Sequence, residues 1–246
     1  MQVSQNFLQV TFSIVSHGQG ELIRLLLADI DAMYNKPSEI IITLNVPENE
    51  QFIEQYKHLN LRIIRNQIPR GFGSNHNSAS KLSTANYFAI INPDIRLSAD
   101  SRISLMIDFL EDSKIGAIGP AVYSSSGRLE DSARFFPTVI SLLRRKFISG
   151  KSNDYKFSKC PLPVDWLAGM FIIFNKFYFN QLGGFDEKYF MYCEDIDICK
   201  RFKDANYIVI LDPRVSVIHN AQRESSRSVK YFFWHIKSLC RYLFLS

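Results

Sequence analysis

Short apolar segments alternate with amphipathic ones over the first hundred residues, and this alternation constrains the fold more than any other feature. The sequence predicts strands at "LQVTFSIVS", "EIIITLN", "LRIIRN" and "YFAIIN", and helices at residues 21–34, 47–58 and 74–85. The second strand is apolar almost throughout, which is typical of a strand covered on both faces. We therefore predict an α/β fold of Rossmann-like type, with a mixed, mostly parallel central sheet and helices on both of its faces.

The second half of the chain is less regular. Residues 99–111 are a predicted helix, "IGAIGP" a fifth strand, "VYSSSGRLEDSARFFP" a hairpin around Ser126 and Gly127, residues 150–163 a polar loop, and "VDWLAGMFIIF" a further strand. Residues 225–246 combine helical apolar spacing with Arg and Lys. They predict a basic amphipathic C-terminal helix.

Composition limits the class of protein and its compartment. No apolar run approaches the roughly 20 residues that span a bilayer, and the N-terminus lacks the basic region and cleavage site of a signal peptide, so we expect a cytoplasmic protein. The four cysteines lack metal-binding spacing, which favours reduced, structural thiols. The net charge of +5 suits phosphate-bearing ligands, nucleic acid or an anionic membrane surface.

Polar side chains follow several predicted strands. They are Ser16 and His17 after the first strand, Asn45 after the second, and Asn92 and Asp94 in "INPDIRL" after the fourth. Ligands of such sheets bind at the carboxyl ends of the parallel strands. Asp94 is therefore either an ordinary turn residue or an oxygen ligand for a Mg²⁺ or Mn²⁺ ion that also holds a diphosphate.

The segment "RGFGSNHNSA" leads from a turn into a predicted helix. Gly71 and Gly73 allow close approach of a backbone or a ligand, and a helix N-terminus favours an anion. The segment is either a phosphate-binding loop, with Arg70 beside it, or a simple helix entry loop.

Residues 183–202, "GGFDEKYFMYCEDIDICKRF", place carboxylates among apolar residues. Glu194 and Asp197 suit the first turn of a helix, and Asp197 stands four residues before Arg201, as in a surface ion pair. Asp195 falls instead on the apolar stripe of that helix. A carboxylate on the buried face needs a partner, a metal or a catalytic function, and burial raises its pKa towards the range of a general base.

These segments, with "DWLAGMFIIF" and "VIHN", occur in an order that resembles the family 2 glycosyltransferases of the GT-A fold over about residues 8–220. The similarity is greatest to the rhamnosyltransferase-like branch that builds bacterial O-antigen and capsule. The resemblance implies a domain over residues 1–220, with a nucleotide-binding half (1–120) and an acceptor and catalytic half (121–220). Residues 221–246 would form the separate basic helix.

The resemblance also implies roles on the donor side. Asp94 would be the retained carboxylate of the family's metal motif, with Asn92 at the position of its first Asp, and His219 would complete the metal site unless it is only a strand-end histidine. Asn45 would read the donor base, although Leu44 replaces the usual Asp before it. Ser16 and His17 would lie against the nucleoside, and Arg70 would meet the base or a phosphate.

On the acceptor side, Asp195 matches the general base of the family, with Glu194 beside it. Trp166 and Gly169 would line the acceptor and donor-sugar pocket, and Glu187 would shape the sugar site. The resemblance thus implies an inverting, metal-dependent transferase. It would move a sugar, in this branch rhamnose, from a UDP- or dTDP-activated donor to a glycan or polyprenyl-linked acceptor.

Other readings remain open at this point. The chain is alternatively a catalytically inactive nucleotide-sugar-binding or membrane-associated protein. A nucleotidyltransferase would need a lysine in the loop after the first strand, where "SHGQGELIR" has none. Nucleic acid is not an expected partner, because the aromatic residues lie in apolar runs rather than on a basic stacking surface. The C-terminal helix either packs on the domain or makes a peripheral contact with the inner face of the cytoplasmic membrane.

Overall fold

The computed structural model describes residues 8–99, 101–141, 154–155, 159–220 and 229–245, and in the last range the side chains of residues 231–244. The predicted loop at residues 150–163 and the predicted helix at 225–246 therefore lie partly outside the described residues. The strands are β1 (Leu8–Ser16), β2 (Pro37–Leu44), β3 (Leu61–Arg65), β4 (Tyr87–Ile91), β5 (Ile95–Arg96), β6 (Ile115–Ser124), β7 (Ala133–Arg134), β8 (Leu162–Pro163), β9 (Trp166–Leu167), β10 (Phe171–Asn175) and β11 (Ile208–His219). The helices labelled here are α1 (Gly20–Ala32), α2 (Gln51–Glu54), α3 (Phe72–Leu82), α4 (Ile103–Leu110), α5 (Lys176–Gln181), α6 (Glu194–Asp204) and α7 (Val229–Leu245).

One sheet runs through the described residues in the order β3-β2-β1-β4-β10-β6-β11-β5, with β8 beside β11. Strands β1 to β4 pair in parallel, as do β6 and β11, whereas β10 runs antiparallel to both of its neighbours. The predicted mixed, mostly parallel sheet is therefore confirmed. A second, two-stranded sheet joins β7 and β9.

The sheet is buried on both faces. Along β10, Phe171 and Ile173 face a core shared with α1 and α4, whereas Ile172 and Phe174 face a core shared with α3, α5 and α6. Successive side chains of a strand point to opposite faces, so a strand with a core on each side must be apolar throughout. This explains the continuous apolar runs in β2, β4 and β10.

Several predicted boundaries were wrong. The helix predicted over residues 47–58 is only the single turn of α2, and the strand predicted over "VDWLAGMFIIF" is divided into β9 and β10. The division falls at a turn in which the N–H of Met170 donates to the carbonyl of Ala168, 2.7 Å away. No helix in the described part of the chain is long and apolar enough to cross a membrane.

The strand order places a crevice at the centre of the sheet. β1 has β2 on one side and β4 on the other, so the connections after β1 and β3 lead to opposite sides of β1. Ligands of open α/β sheets bind at such a reversal, beyond the carboxyl ends of the strands. Ser16, Asn45 and Asn92, which close or follow β1, β2 and β4, all lie at this edge.

Candidate active site

The residues that follow β1 and β2 are bonded mainly to the protein itself. The side-chain oxygen of Asn45 accepts hydrogen bonds from the N–H of Arg70 and from Asn66, both at 2.8 Å. Its amide nitrogen lies 3.0 Å from the carbonyl of Arg70 and 3.4 Å from Nδ1 of His17. The hydroxyl of Ser16, which is fully buried, accepts from the N–H of Gln19.

This bonding bears on two predicted roles, which both stay predictions. Asn45 is predicted to read the donor base, and its amide group also holds the loop at Arg70 through both of its ends. Ser16 is predicted to lie against the nucleoside, and its hydroxyl is buried in the turn after β1. His17 is exposed at the same edge and remains accessible to a ligand.

A cavity opens beyond the ends of β2 and β3. It is lined by Leu44, Val46, Pro47, Glu48, Glu50, Arg65 and Asn66. Oε1 of Glu48 is buried and has no hydrogen-bond partner among the described residues. Such an oxygen is available to accept a hydrogen bond from a ligand. Glu48 carries no motif in the sequence, and only its position in the cavity identifies it.

The segment at Gly71 contacts the loop before α6, not an open crevice. A Cβ atom on Gly71 would lie 2.7 Å from the carbonyl oxygen of Phe190, and one on Gly73 would lie 2.6 Å from Cβ of Phe185. The N–H of Phe72 donates to that same carbonyl of Phe190 at 2.9 Å. The glycines are therefore required by packing inside the protein, which favours the helix-entry interpretation, while contact of Gly71 with phosphate stays a prediction.

Arg70 and Glu187 belong to this same contact. Ser74 donates to Glu187 at 2.7 Å, and the guanidinium of Arg70 lies 3.5 Å from Glu187 and bonds Ser74 and Ser78. The hydrogen bond from Ser74 lowers the pKa of Glu187, and the charge of Arg70 adds to it. Glu187 thus joins α3 to the loop before α6. Its role in shaping the sugar site stays a prediction.

We expect Gly184→Ala to lower the free energy of unfolding more than Gly183→Ala does. Gly184 has φ of +69°, and a Cβ atom there would lie 2.4 Å from Oδ1 of Asn77, which accepts the N–H of Phe185 at 2.9 Å. Gly183→Ala is the matched control, because its φ is +82° but nothing lies within 4 Å of the added Cβ. Left-handed strain costs each variant about 1–2 kcal/mol. Loss of the buried bond costs Gly184→Ala about 2 kcal/mol more. Urea unfolding measures both, and equal losses would contradict the clash.

A charged cluster lies where β5 meets the end of β11. Nε2 of His219 lies 3.1 Å from Oδ2 of Asp94, and Nδ1 lies 2.8 Å from Oε2 of Glu130. Burial lowers the pKa of His219, but the hydrogen bonds and charges of Asp94 and Glu130 outweigh it and raise that pKa to about 9. The two carboxylates thus hold His219 as an imidazolium at neutral pH.

This cluster bears directly on metal binding. Oδ1 of Asp94 is buried and accepts no hydrogen bond in the part of the chain that the structure describes. That part contains no group of three or more His, Cys, Asp or Glu side chains arranged around a common metal position. Asp94 and His219 are nevertheless an oxygen and an imidazole ligand side by side, which fits a divalent ion completed by diphosphate oxygens. Glu130 was missed by sequence reasoning because it precedes His219 by 89 residues.

The adjacent carboxylates Glu194 and Asp195 open α6. Burial raises the pKa of Glu194 well above its usual range, the charge of Asp195 raises it further, and Oε2 of Glu194 is unpaired within the described residues. Burial also raises the pKa of Asp195, but the N–H groups of Gly169 and Ile196, each 2.9 Å from a carboxylate oxygen, oppose that shift. Of the two carboxyl groups, Glu194 therefore has the more strongly raised pKa, whereas the two N–H groups favour the charged form of Asp195.

The turn at Gly169 joins this pair to the end of β4. The N–H of Gly169 binds Asp195, and the carbonyl of the next residue, Met170, accepts the N–H of Asn92 at 2.9 Å. Asn92 stands two residues before Asp94. The fold thus connects the predicted base, through Gly169, Met170 and Asn92, to the strand end that carries the predicted metal ligand.

Arg134 and Trp166 flank the pair. Arg134 lies 5.8 Å from the indole ring of Trp166, and its charge lowers the pKa of Asp195. Trp166 itself is buried, and its indole N–H donates to the carbonyl of Phe135 at 3.0 Å. Trp166 is therefore anchored in the protein at its indole N–H, and its contact with the acceptor stays a prediction.

Asp197 differs from its prediction as a surface ion pair. It is buried, and Arg201 pairs with it at 2.7 Å while donating to the carbonyls of Leu182 and Gly184. Arg201 thus ties the body of α6 to the Gly183–Gly184 turn. The i, i+4 spacing predicted Arg201 correctly as the partner of Asp197, but it did not predict that Asp197 is buried.

The backbone before the pair is strained. Tyr192 and Cys193 have φ of 72° and 68°, a left-handed conformation that side chains other than glycine rarely adopt. Strained residues persist only where the surrounding structure fixes them, and they occur frequently at functional sites. The loop that precedes Glu194 and Asp195 is therefore held in place by its contacts with α3 and with α7.

Known proteins similar in sequence to this chain are glycosyltransferases. The model of the family "Glycosyl transferase family 2" matches residues 12–183. The chain is 33% identical over 246 residues to "Rhamnosyltransferase WbbL" of Escherichia coli strain K12, covering 94% of this chain and 90% of that protein. It is 23% identical over 256 residues to an "N-acetylglucosaminyl-diphospho-decaprenol L-rhamnosyltransferase" of Mycobacterium tuberculosis strain CDC 1551 / Oshkosh, covering 94% of this chain and 82% of that protein.

Two solved structures share the fold. GalNAc-T7 with UDP, GalNAc and Mn²⁺ superposes with a TM-score of 0.66 at 14% identity, over 89% of this chain and 45% of that one. The mannosyltransferase PcManGT from Pyrobaculum calidifontis, in complex with GDP-Man and Mn²⁺, gives 0.64 at 16% identity, over 95% of this chain and 64% of that one. The chain thus spans less than two thirds of either solved chain. The GT-A fold predicted from the sequence is confirmed.

Proposed function

The chain belongs to glycosyl transferase family 2 and is a glycosyltransferase, and from that premise we propose that it is an inverting rhamnosyltransferase of cell-surface polysaccharide synthesis, such as O-antigen or capsule. The donor is a UDP- or dTDP-activated sugar. The acceptor is a glycan or a polyprenyl-linked sugar. The rhamnosyltransferase names of two relatives, one of them acting on a diphospho-decaprenol acceptor, support the choice of sugar and acceptor.

The observation that carries this proposal is the unequal carboxylate pair. Asp195 is partly accessible and held by the N–H of Gly169, which opposes the rise in its pKa, whereas Glu194 is buried and its pKa is raised well above the usual range, so we assign the negative charge to Asp195. A single charged carboxylate beside the crevice suits a general base that takes the proton from the acceptor hydroxyl during attack on the anomeric carbon. Direct attack of this kind inverts the configuration at that carbon. The N–H groups of Gly169 and Ile196 and, to a smaller extent, the charge of Arg134 oppose the rise in the pKa of Asp195 and so favour its ionised form.

A divalent ion, when bound, would stabilise the negative charge of the departing diphosphate. Asp94 and His219 are the residues that we propose to hold it, and the Mn²⁺ in two solved glycosyltransferases of this fold supports a metal of that class. His219 donates Nε2–H to Asp94 as it stands, so ligation would require loss of that proton. Glu130, on Nδ1, would then fix the orientation of the ring.

We place the donor nucleoside at the edge formed by His17 and by the cavity at Glu48, Arg65 and Asn66. Solved structures of S. aureus TarS contain UDP or UDP-GlcNAc, and that of the mannosyltransferase PcManGT contains GDP-Man. These ligands support a nucleotide sugar as the ligand class. Glu48 would accept a hydrogen bond from the base through its unpaired Oε1. We further propose that the protein acts in the cytoplasm, with a peripheral contact to the inner membrane face where a polyprenyl-linked acceptor would lie.

A thermal-shift panel tests the donor assignment. UDP, dTDP, GDP and their sugars are each added with and without Mn²⁺, since a ligand that binds only the folded state raises its apparent stability. We expect a metal-dependent rise with one pyrimidine nucleotide, of about 3 kcal/mol at a hundredfold excess over Kd. A flat panel would contradict the donor site. Binding without turnover would favour an inactive nucleotide-sugar-binding protein.

A further inference from the structure

Helix α7 has one face fixed to the loop that precedes the carboxylate pair. The ring of Trp234 lies 4.6 Å from that of Phe190, and the ring of His235 lies 5.3 Å from that of Tyr192. Ser238 donates to the carbonyl of Met191 at 2.8 Å. One turn further, Arg241 lies 3.5 Å from Asp186. The inner face of α7 therefore holds the strained backbone at Tyr192 and Cys193 from outside.

The opposite face of α7 is apolar and exposed. Phe233, Ile236, Cys240 and Phe244 follow one another at three- and four-residue spacing, so they form a single stripe, and Phe232 lies beside it. Phe233 and Phe244 are 65% and 70% exposed. A soluble protein rarely exposes a contiguous apolar surface of this kind without a binding function.

The charge of the helix identifies the class of partner. Residues 225–246 contain Arg227, Lys230, Lys237 and Arg241 but no Asp or Glu, and of these Arg241 is engaged on the inner face with Asp186. Lys237 is exposed next to the apolar stripe. A second copy of the same stripe would bring like charges together, which is unfavourable. A surface of anionic lipid offers both an apolar interior and negative headgroups, and a basic helix with Phe and Trp lies in such an interface.

We propose that the stripe Phe232, Phe233, Ile236, Cys240 and Phe244 docks α7 onto an anionic lipid surface. Because the inner face of the same helix contacts residues 186–192, docking also orients the carboxylate pair relative to that surface. This places the acceptor pocket next to the membrane, a consequence that rests on the proposed function. The lipid binding itself does not, since it needs neither donor nor turnover.

The test is co-sedimentation of the full chain with vesicles. Phosphatidylcholine vesicles are compared with vesicles that also contain phosphatidylglycerol, without nucleotide. We expect binding to the anionic vesicles only, weakened by salt because each Lys or Arg near the surface adds electrostatic attraction. Lys237→Gln should weaken it by about fivefold. Equal binding to both kinds of vesicle, or to neither, would overturn the proposal.

Exposed phenylalanines allow a matched pair of variants. Phe233→Ser combined with Phe244→Ser removes the stripe, and about tenfold of affinity is expected to be lost for each ring. Phe177→Ser, at 69% exposure on α5, is the control and should bind like wild type. Circular dichroism verifies that wild type, the double variant and Phe177→Ser all fold. The thermal shift on adding nucleotide verifies that all three bind the donor. Undiminished vesicle binding by the double variant would refute the assignment. So would a wild-type protein that is a dimer and a double variant that is a monomer, because the stripe would then join two copies of the chain.

Discussion

Asp195→Asn is expected to lower kcat by about 10²- to 10⁴-fold, the range that a positioned general base contributes. The amide has the same size and its oxygen keeps the hydrogen bond from Gly169, at the loss of the bond from the adjacent Ile196, so the fold and donor binding should be preserved. Initial rates of sugar transfer measure the effect, and the thermal shift with donor verifies that the variant still binds.

Glu194→Gln is the matched control for this prediction. Burial and the charge of Asp195 raise the pKa of Glu194 well above its usual range and so favour its neutral form, for which a neutral amide is the conservative replacement. We expect less than about a tenfold loss of kcat, well below the effect of removing the base. If Glu194→Gln inactivated the enzyme while Asp195→Asn did not, the two carboxylates would have the opposite roles.

Asp94→Asn should give the second large effect. It removes the charged oxygens at the proposed metal position, so the metal-dependent part of donor stabilisation should disappear and kcat/KM should fall on the order of a hundredfold or more. The thermal-shift panel with and without Mn²⁺ measures binding, and initial rates measure activity. Partial recovery at high Mn²⁺ would agree with weakened ligation.

Asp31→Asn provides the matched comparison, because Asp31 also bonds a histidine. Its Oδ1 lies 2.9 Å from Nε2 of His58, on the exposed side of α1 and away from the crevice. That variant should keep wild-type donor binding at every Mn²⁺ concentration. A metal-dependent shift of wild-type size in Asp94→Asn would contradict the assignment of Asp94.

The sequence predicted the sheet well because each strand is coded locally. An apolar run in β2 or β4 must be covered on both faces wherever it lies, and the alternation with helices leaves few topologies. Asp195 could be singled out for the same reason, since its position on the stripe of α6 is a local property. The boundaries of α2 and the division between β9 and β10 depend on tertiary turns, and there the prediction failed.

The features of the site that the sequence could not predict are contacts between distant segments. Nothing in the sequence indicated that the loop at Gly71 and Gly73 and the "GGFDE" motif pack against each other, as they do in the structure. Glu130 and Glu48 gave no local signal. Glu130 becomes significant only when β11 brings His219 to it, and Glu48 only when the ends of β2 and β3 enclose a cavity.

The most direct test of the central claim is the stereochemistry of transfer. The nucleotide sugar selected by the thermal-shift panel is incubated with a polyprenyl-diphosphate-linked sugar acceptor, and proton NMR identifies the anomeric configuration of the new glycosidic bond. A single base at Asp195 and direct attack predict a product with the configuration opposite to that of the donor, formed by wild type and not at a comparable rate by Asp195→Asn. A product that retains the donor configuration, or transfer that is equally fast in Asp195→Asn, would contradict the account.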